Sequence, residues 1–268
     1  MTDANDEATS EEVVRGTFAQ VDAWHSSPRF SAAPGSELFK DDQDWLPMPF
    51  TDSVKLELDL AAEQLHQIKV VVEADEVSLT SQRILVRTAL ISGSIALWMI
   101  SPDAAADRTS RHRLLVEQTH FRHHQALSEQ VGLEERAGSV QPNLARMLEH
   151  TTTRLDEVKA LRAADGQTTR WNDTDIIRAA ALYAFGKEPD PQALANESVF
   201  EFRVTSGAAH GLPWALYNSA GMRATTSTDQ HGRAVMTAQP MWSDLANGYM
   251  AAYWVSYSAW KLLARRGR

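Results

Sequence analysis

Residues 54–72 read VKLELDLAAEQLHQIKVVV, and Val54, Leu58, Ala61, Leu65, Ile68 and Val72 alternate steps of four and three. That spacing draws one apolar stripe along a helix, so this segment must lie against a partner. The next segment supplies one. Residues 80–100 predict a second helix whose later half, Ile95 to Ile100, is apolar nearly all round, as a central helix touched from several sides would be. Ser101-Pro102 ends it.

Working outward, residues 104–131 predict a third helix rich in arginine and histidine, and a fourth starts at Pro142 with Leu144, Leu148, Leu155 and Val158 inward. Asn172 or Asp173 caps a fifth that runs to Gly186, and Asp190-Pro191 opens a sixth that leads into Arg203. The Thr/Ser-rich run from Arg223, followed by Asp229-Gln230-His231-Gly232 and Ala234-Val235-Met236, breaks the helical period and predicts a short β-hairpin. A last helix over 241–265 puts Trp242, Leu245, Tyr249, Tyr253, Trp260 and Leu263 on one broad apolar side.

The expectation is therefore an all-α bundle of about seven helices in a single domain over 51–268, with one short β-hairpin near the C-terminal helix. Residues 1–50 read as a disordered, acidic N-terminus and then an irregular arm broken by Pro28, Pro34, Pro47 and Pro49, laid on the body through Trp45 or Phe50.

Composition narrows the function classes. The 268 residues contain no cysteine, which excludes disulfides, thiolate zinc sites and a cysteine nucleophile and fits the cytoplasm. The apolar run Thr88–Ile100 is shorter than the roughly 20 residues a spanning helix needs, so no membrane contact is expected. A net charge of −9 gives no global attraction to nucleic acid, leaving that to a local patch. On the third helix Arg108, Arg111, His112 and Arg122 fall within about 100° of one another, a face able to track RNA phosphates or simply to stand in solvent.

Motifs for phosphate loops, serine-hydrolase elbows and zinc proteases are missing from the sequence. Two Glu-x-x-His pairs, Glu63/His66 and Glu117/His120, match the ligand spacing of ferritin-like metal bundles. Glu63 lies about 180° from the stripe, and residues 80–100 offer no acidic residue, so neither metal nor other cofactor is expected.

The remaining constellation is EFRVTSGAAHG at residues 201–211. Arg203 and His210 are seven residues apart, which on a helix is two turns and leaves both on one face within about 20°. Metal-free RNA cleavage needs a proton-transfer group near neutral pKa and a fixed cation for the phosphorane charge, roles that histidine and arginine suit. Ser206 lies on the same side as a helper. The alternative pairs Arg203 with an acid and packs His210 at a helix end.

Through Arg203-x6-His210 the sequence resembles the HEPN superfamily of helical bundles, many of them metal-independent endoribonucleases with an Arg-x(4–6)-His motif at a dimer interface. RILVRTALISGSIALWMISP at 83–102, R-x-x-R at Arg108 and Arg111, and the later S-G-x-x-H-G string resemble uncharacterised actinobacterial helical proteins. The first resemblance implies a homodimeric RNase with Arg203 and His210 catalytic, and an antitoxin or other protein as partner. The second implies no activity and leaves open a non-catalytic helical protein that binds a partner or ligand.

Overall fold

The chain is described by a computed structural model over residues 4–45, 47–76, 78, 80–217 and 219–268. In order along it come α1 (Ala4–Arg15), α2 (Phe18–His25), α3 (Glu37–Asp41), α4 (Phe50–Glu73), α5 (Ser81–Ile100), α6 (Ala105–Arg136), α7 (Pro142–Ala164), α8 (Asp173–Ala184), α9 (Pro191–Ala209), the single turn α10 (Trp214–Tyr217), β1 (Met222–Ala224), β2 (Met236–Ala238) and α11 (Trp242–Arg266). The protein is 70% helical, with about ten helices among the described residues rather than seven. The two strands pair antiparallel, Met222 opposite Ala238.

The stripe from Val54 to Val72 is fully buried. It meets α5, which also packs on α8, α9 and α11 and so forms the centre of the bundle. By length and composition α5 could cross a bilayer, but two-thirds of that window is buried against other helices. α4, α5 and α11 are the tightest trio. Gly93 of α5 faces α11, where a Cβ would sit 2.4 Å from Ser256 Oγ, 3.3 Å from Val255 Cγ2 and 3.5 Å from Ser256 Cβ. Ser256 Oγ is itself buried with no hydrogen-bond partner among the described residues.

That geometry predicts a coupled pair. Gly93→Ala alone is expected to destabilise by about 1–3 kcal/mol through overpacking. Ser256→Ala removes an unsatisfied hydroxyl and is expected to be neutral or better. With the hydroxyl gone the tight contact that remains is Val255 Cγ2 at 3.3 Å, and alanine is favoured over glycine in a helix by about 1 kcal/mol, so the double variant should recover most of the loss. Urea denaturation of the four proteins tests this; a double variant as weak as Gly93→Ala would refute the contact.

The N-terminal region differs from its reading. Val14, Phe18, Val21 and Trp24 form a short buried stripe under α11 and α4, and Thr17 Oγ1 lies 2.7 Å from the Tyr249 hydroxyl. Within the acidic run, Glu7 accepts hydrogen bonds from the Trp242 and Ser243 backbone N–H groups at 2.7 and 3.1 Å, capping the open end of α11. A carboxylate at a helix N-terminus is held by dipole as well as hydrogen bond, which gives this polar segment a seat. The arm is also more regular than expected. Ser36 caps α3, Asp42 Oδ1 takes the Thr51 N–H of α4 at 2.7 Å, and Trp45 joins Val116 and Val158 in a second small core under the α6–α7 hairpin.

The C-terminal turn of α5 explains much of the arginine pattern. A helix end leaves carbonyls unpaired; here Arg111 donates to the Trp98 carbonyl, Arg108 to those of Pro102 and Asp103, and Arg266 to that of Ser101. Three cations thus close the negative end of the central helix.

Candidate functional site

α9 begins as its sequence indicates. Asp190 Oδ1 accepts from the Ala193 N–H at 2.9 Å and Pro191 occupies the first turn. It ends in a Schellman motif: Gly211 N–H bonds the Ala208 carbonyl, Leu212 N–H bonds that of Gly207, and Gly211 takes φ +66°. Helix therefore runs through Phe200–Val204, where residue alternation could have meant a strand.

Ala195, Ser198, Val199, Phe202 and Thr205 face the bundle. Arg203 and His210 are exposed, and neither side chain makes a hydrogen bond or ion pair among the described residues. His210 is the C-cap rather than an interior residue, but its N–H still bonds the Ser206 carbonyl at 3.1 Å, which keeps its Cα on the helical path. Arg203 and His210 thus share the outer face, as their spacing predicts. The acid partner for Arg203 and the packed site for His210 are not found among the described residues.

Between them on that face lies Gly207. The Trp214 ring of α10 rests on it, 2.7 Å from where a Cβ would be, so only glycine admits the ring. Phe200, one turn before Arg203, is 51% exposed and Trp214 43%, so the two polar groups sit among open aromatic surface. Ser206 has turned elsewhere. Its Oγ accepts from Arg87 Nε at 2.9 Å, and the Arg87 guanidinium lies over the Phe202 ring at 5.3 Å. Arg87 and Trp214 are the residues that sequence reasoning missed; the S-G-x-x-H-G string carried a signal for the second, in a glycine needed for contact.

The RNA-tracking face on α6 is corrected. Arg108 is 2% exposed, bound bidentately by Asp41 at 2.6 and 3.1 Å. His112 is fully buried against Ser53 Oγ at 2.8 Å and Phe50, and burial depresses it to about 4, so it is neutral at pH 7. Arg111 is half-buried at the end of α5, and of the four only Arg122 stands in solvent. The cause is α3 and the loop after it, which cover the first half of α6 and bring Asp41 and Asp44 with them. Arg113, the start of a second Arg-x6-His match, is held by Asp44 and Asp165, while its His120 sits edge-on to Trp45.

The two Glu-x-x-His pairs are apart in role. Glu63 faces solvent, His66 bonds Asp22 at 3.0 Å and stacks on His25, and Glu117 is paired with Arg162. No group of three or more histidine or acidic residues that could hold a metal is found among the described residues.

Two carboxyls behave unusually. Burial pushes Glu201, inside α9 against the bare backbone of Gly248, up to about 7 from the ordinary 4.5, with Glu197 adding to it and Arg83 opposing. Burial does the same to Glu57, whose partner is Ser92. Between pH 4.5 and 7 the folded protein then holds protons that the unfolded chain has released, so these groups cost stability as pH rises through that window. His112 acts in the opposite sense between about 4 and 6.5, so the effect must be read by difference. Glu201→Gln is expected to stabilise more at pH 8 than at pH 5, measured as the shift in urea midpoint from the parent; an equal shift at both would exclude the assignment.

Compared with protein-family models, curated proteins and solved structures, the chain finds no match.

Proposed function

We propose that this protein is a metal-independent endoribonuclease that works as a homodimer through the outer face of α9. The observation that carries the reading is the exposure of Arg203 and His210 together on that face, with no partner in their own chain among the described residues. An exposed imidazole is a side chain able to move the 2′-hydroxyl or leaving-group proton. The guanidinium two turns away is free to meet phosphate oxygens. Phe200 and Trp214 offer surface for the second protomer to cover, which would bring two Arg203/His210 pairs together and exclude water from them. Ser206, tied to Arg87, holds the helix in place rather than helping in proton transfer. Such an enzyme would act in the cytoplasm, with an antitoxin as its natural restraint.

A non-catalytic binding role has its own support. The cavities described in the protein are lined by other residues, so one protomer alone presents Arg203 and His210 on an open surface. One experiment separates the two readings: incubation of the purified protein with a mixed RNA, with and without EDTA, alongside its mass in solution by light scattering. Cleavage by a dimer that persists in EDTA supports the RNase. A dimer or monomer that leaves RNA intact supports the binding role.

A further inference from the structure

The four arginines buried to 7% exposure or less each meet a carboxylate: Arg83 with Asp244, Arg108 with Asp41, Arg162 with Glu117 and Arg266 with Glu37. Arg111 does not. Half-buried at the end of α5, it gives Nη1 to the Trp98 carbonyl and Ser101 Oγ and lies over the Trp98 ring at 5.1 Å, with no carboxylate within ion-pair distance among the described residues. Burial pushes it below the ordinary arginine value, yet it remains a cation at neutral pH. Its Nε and Nη2 hydrogens make no bond among the described residues, and those nitrogens are not among the sealed polar atoms. They therefore remain open to the space beside the residue.

That space is a cavity of about 390 Å³ between the end of α5, the start of α6 and the end of α7, lined by Trp98, Asp107, Ser110, Arg111, Arg162 and Thr169 among others. Its size falls in the range of small-molecule sites, about 300–1,000 Å³. Arg162, also on the wall, adds positive charge but no open donor: it is 7% exposed, its Nη groups serve Glu117 and the Thr169 carbonyl, and its Nε is sealed without a partner among the described residues. A half-buried cation with no ion pair and with donors open to a cavity is an arrangement that an anion completes.

We propose that this cavity binds a small oxyanion, a phosphate monoester or a carboxylate, on the free edge of Arg111. The planar fork of Arg111 presents the Nε and Nη2 edge that matches two oxygens of such a group. The Ser110 hydroxyl adds a donor. Asp107, exposed on the same wall one turn before Arg111, opposes the anion and limits affinity.

Calorimetric titration of the full chain with phenyl phosphate and with benzoate, at constant ionic strength set by chloride, tests the site. Saturable binding of at least one is expected, and which one binds assigns the oxyanion. Asp107→Asn should tighten that binding several-fold without harm to the fold, since it removes only an exposed charge. Arg111→Lys keeps a cation to cap α5 but loses the fork, and should weaken binding about tenfold. Heat no greater than that of chloride for both probes, or binding that neither substitution changes, would overturn the proposal.

Discussion

Replacing Arg108 by methionine is expected to lower the unfolding free energy by about 3–5 kcal/mol, because it leaves the Asp41 carboxylate buried with no counter-charge. Asp41 is only 2% exposed, and its carboxyl is raised by burial even with Arg108 attached, so desolvation already outweighs the attraction within the pair. Such a pair adds little to stability when whole and removes much when halved. The same substitution frees the carbonyls of Pro102 and Asp103 at the end of the central helix. The control is Arg108→Met with Asp41→Leu, which removes both charges and should recover at least half the loss. Thermal and urea unfolding measure it. A single variant within about 0.5 kcal/mol of the parent would be the behaviour of a surface residue, and would contradict the buried position.

His210→Ala is expected to reduce RNA cleavage by a hundredfold or more, within the 10²–10⁴ range that a positioned proton-transfer group contributes. Arg203→Ala should cost a comparable factor if its guanidinium meets the phosphorane charge. Both residues are exposed and make no side-chain bond among the described residues, so neither change should move stability by more than about 0.5 kcal/mol. Loss of activity therefore cannot be confused with loss of fold. His120→Ala, in the second Arg-x6-His match, removes a residue that packs against Trp45 and should leave cleavage intact. If the His210 variant cuts as fast as the parent, the residue is not the proton carrier and the catalytic reading of α9 is lost.

What could be read in advance was what rests on local spacing. The α4 stripe, the Asn172 and Asp190 caps and the hairpin each depend on residues within a few positions of one another, and each is present. The shared face of Arg203 and His210 followed from the seven-residue spacing alone. What could not be read depends on distant partners. Glu7 is a helix cap only because α11 arrives above it, and the arginines of α6 turn inward only because an aperiodic segment carries Asp41 and Asp44 across them. Ser206 looked free beside His210 until α5 supplied Arg87. The stripe at Val14, Phe18, Val21 and Trp24 was visible in principle, but it spans three turns beside an acidic run that reads as solvent-loving.

The central position of α5 bears on how the protein is made. About 140 residues separate Ile100 from Trp242, the start of the helix that closes over α5. At the usual pace of translation, about 5–20 residues per second, α5 leaves the ribosome on the order of ten seconds before that cover exists. During the interval the nascent chain displays, on the flank meant for α11, a helix apolar enough to pass for a membrane span. Chaperones that attend emerging apolar segments should engage this chain between the synthesis of α5 and that of α11, and release it once α11 has docked.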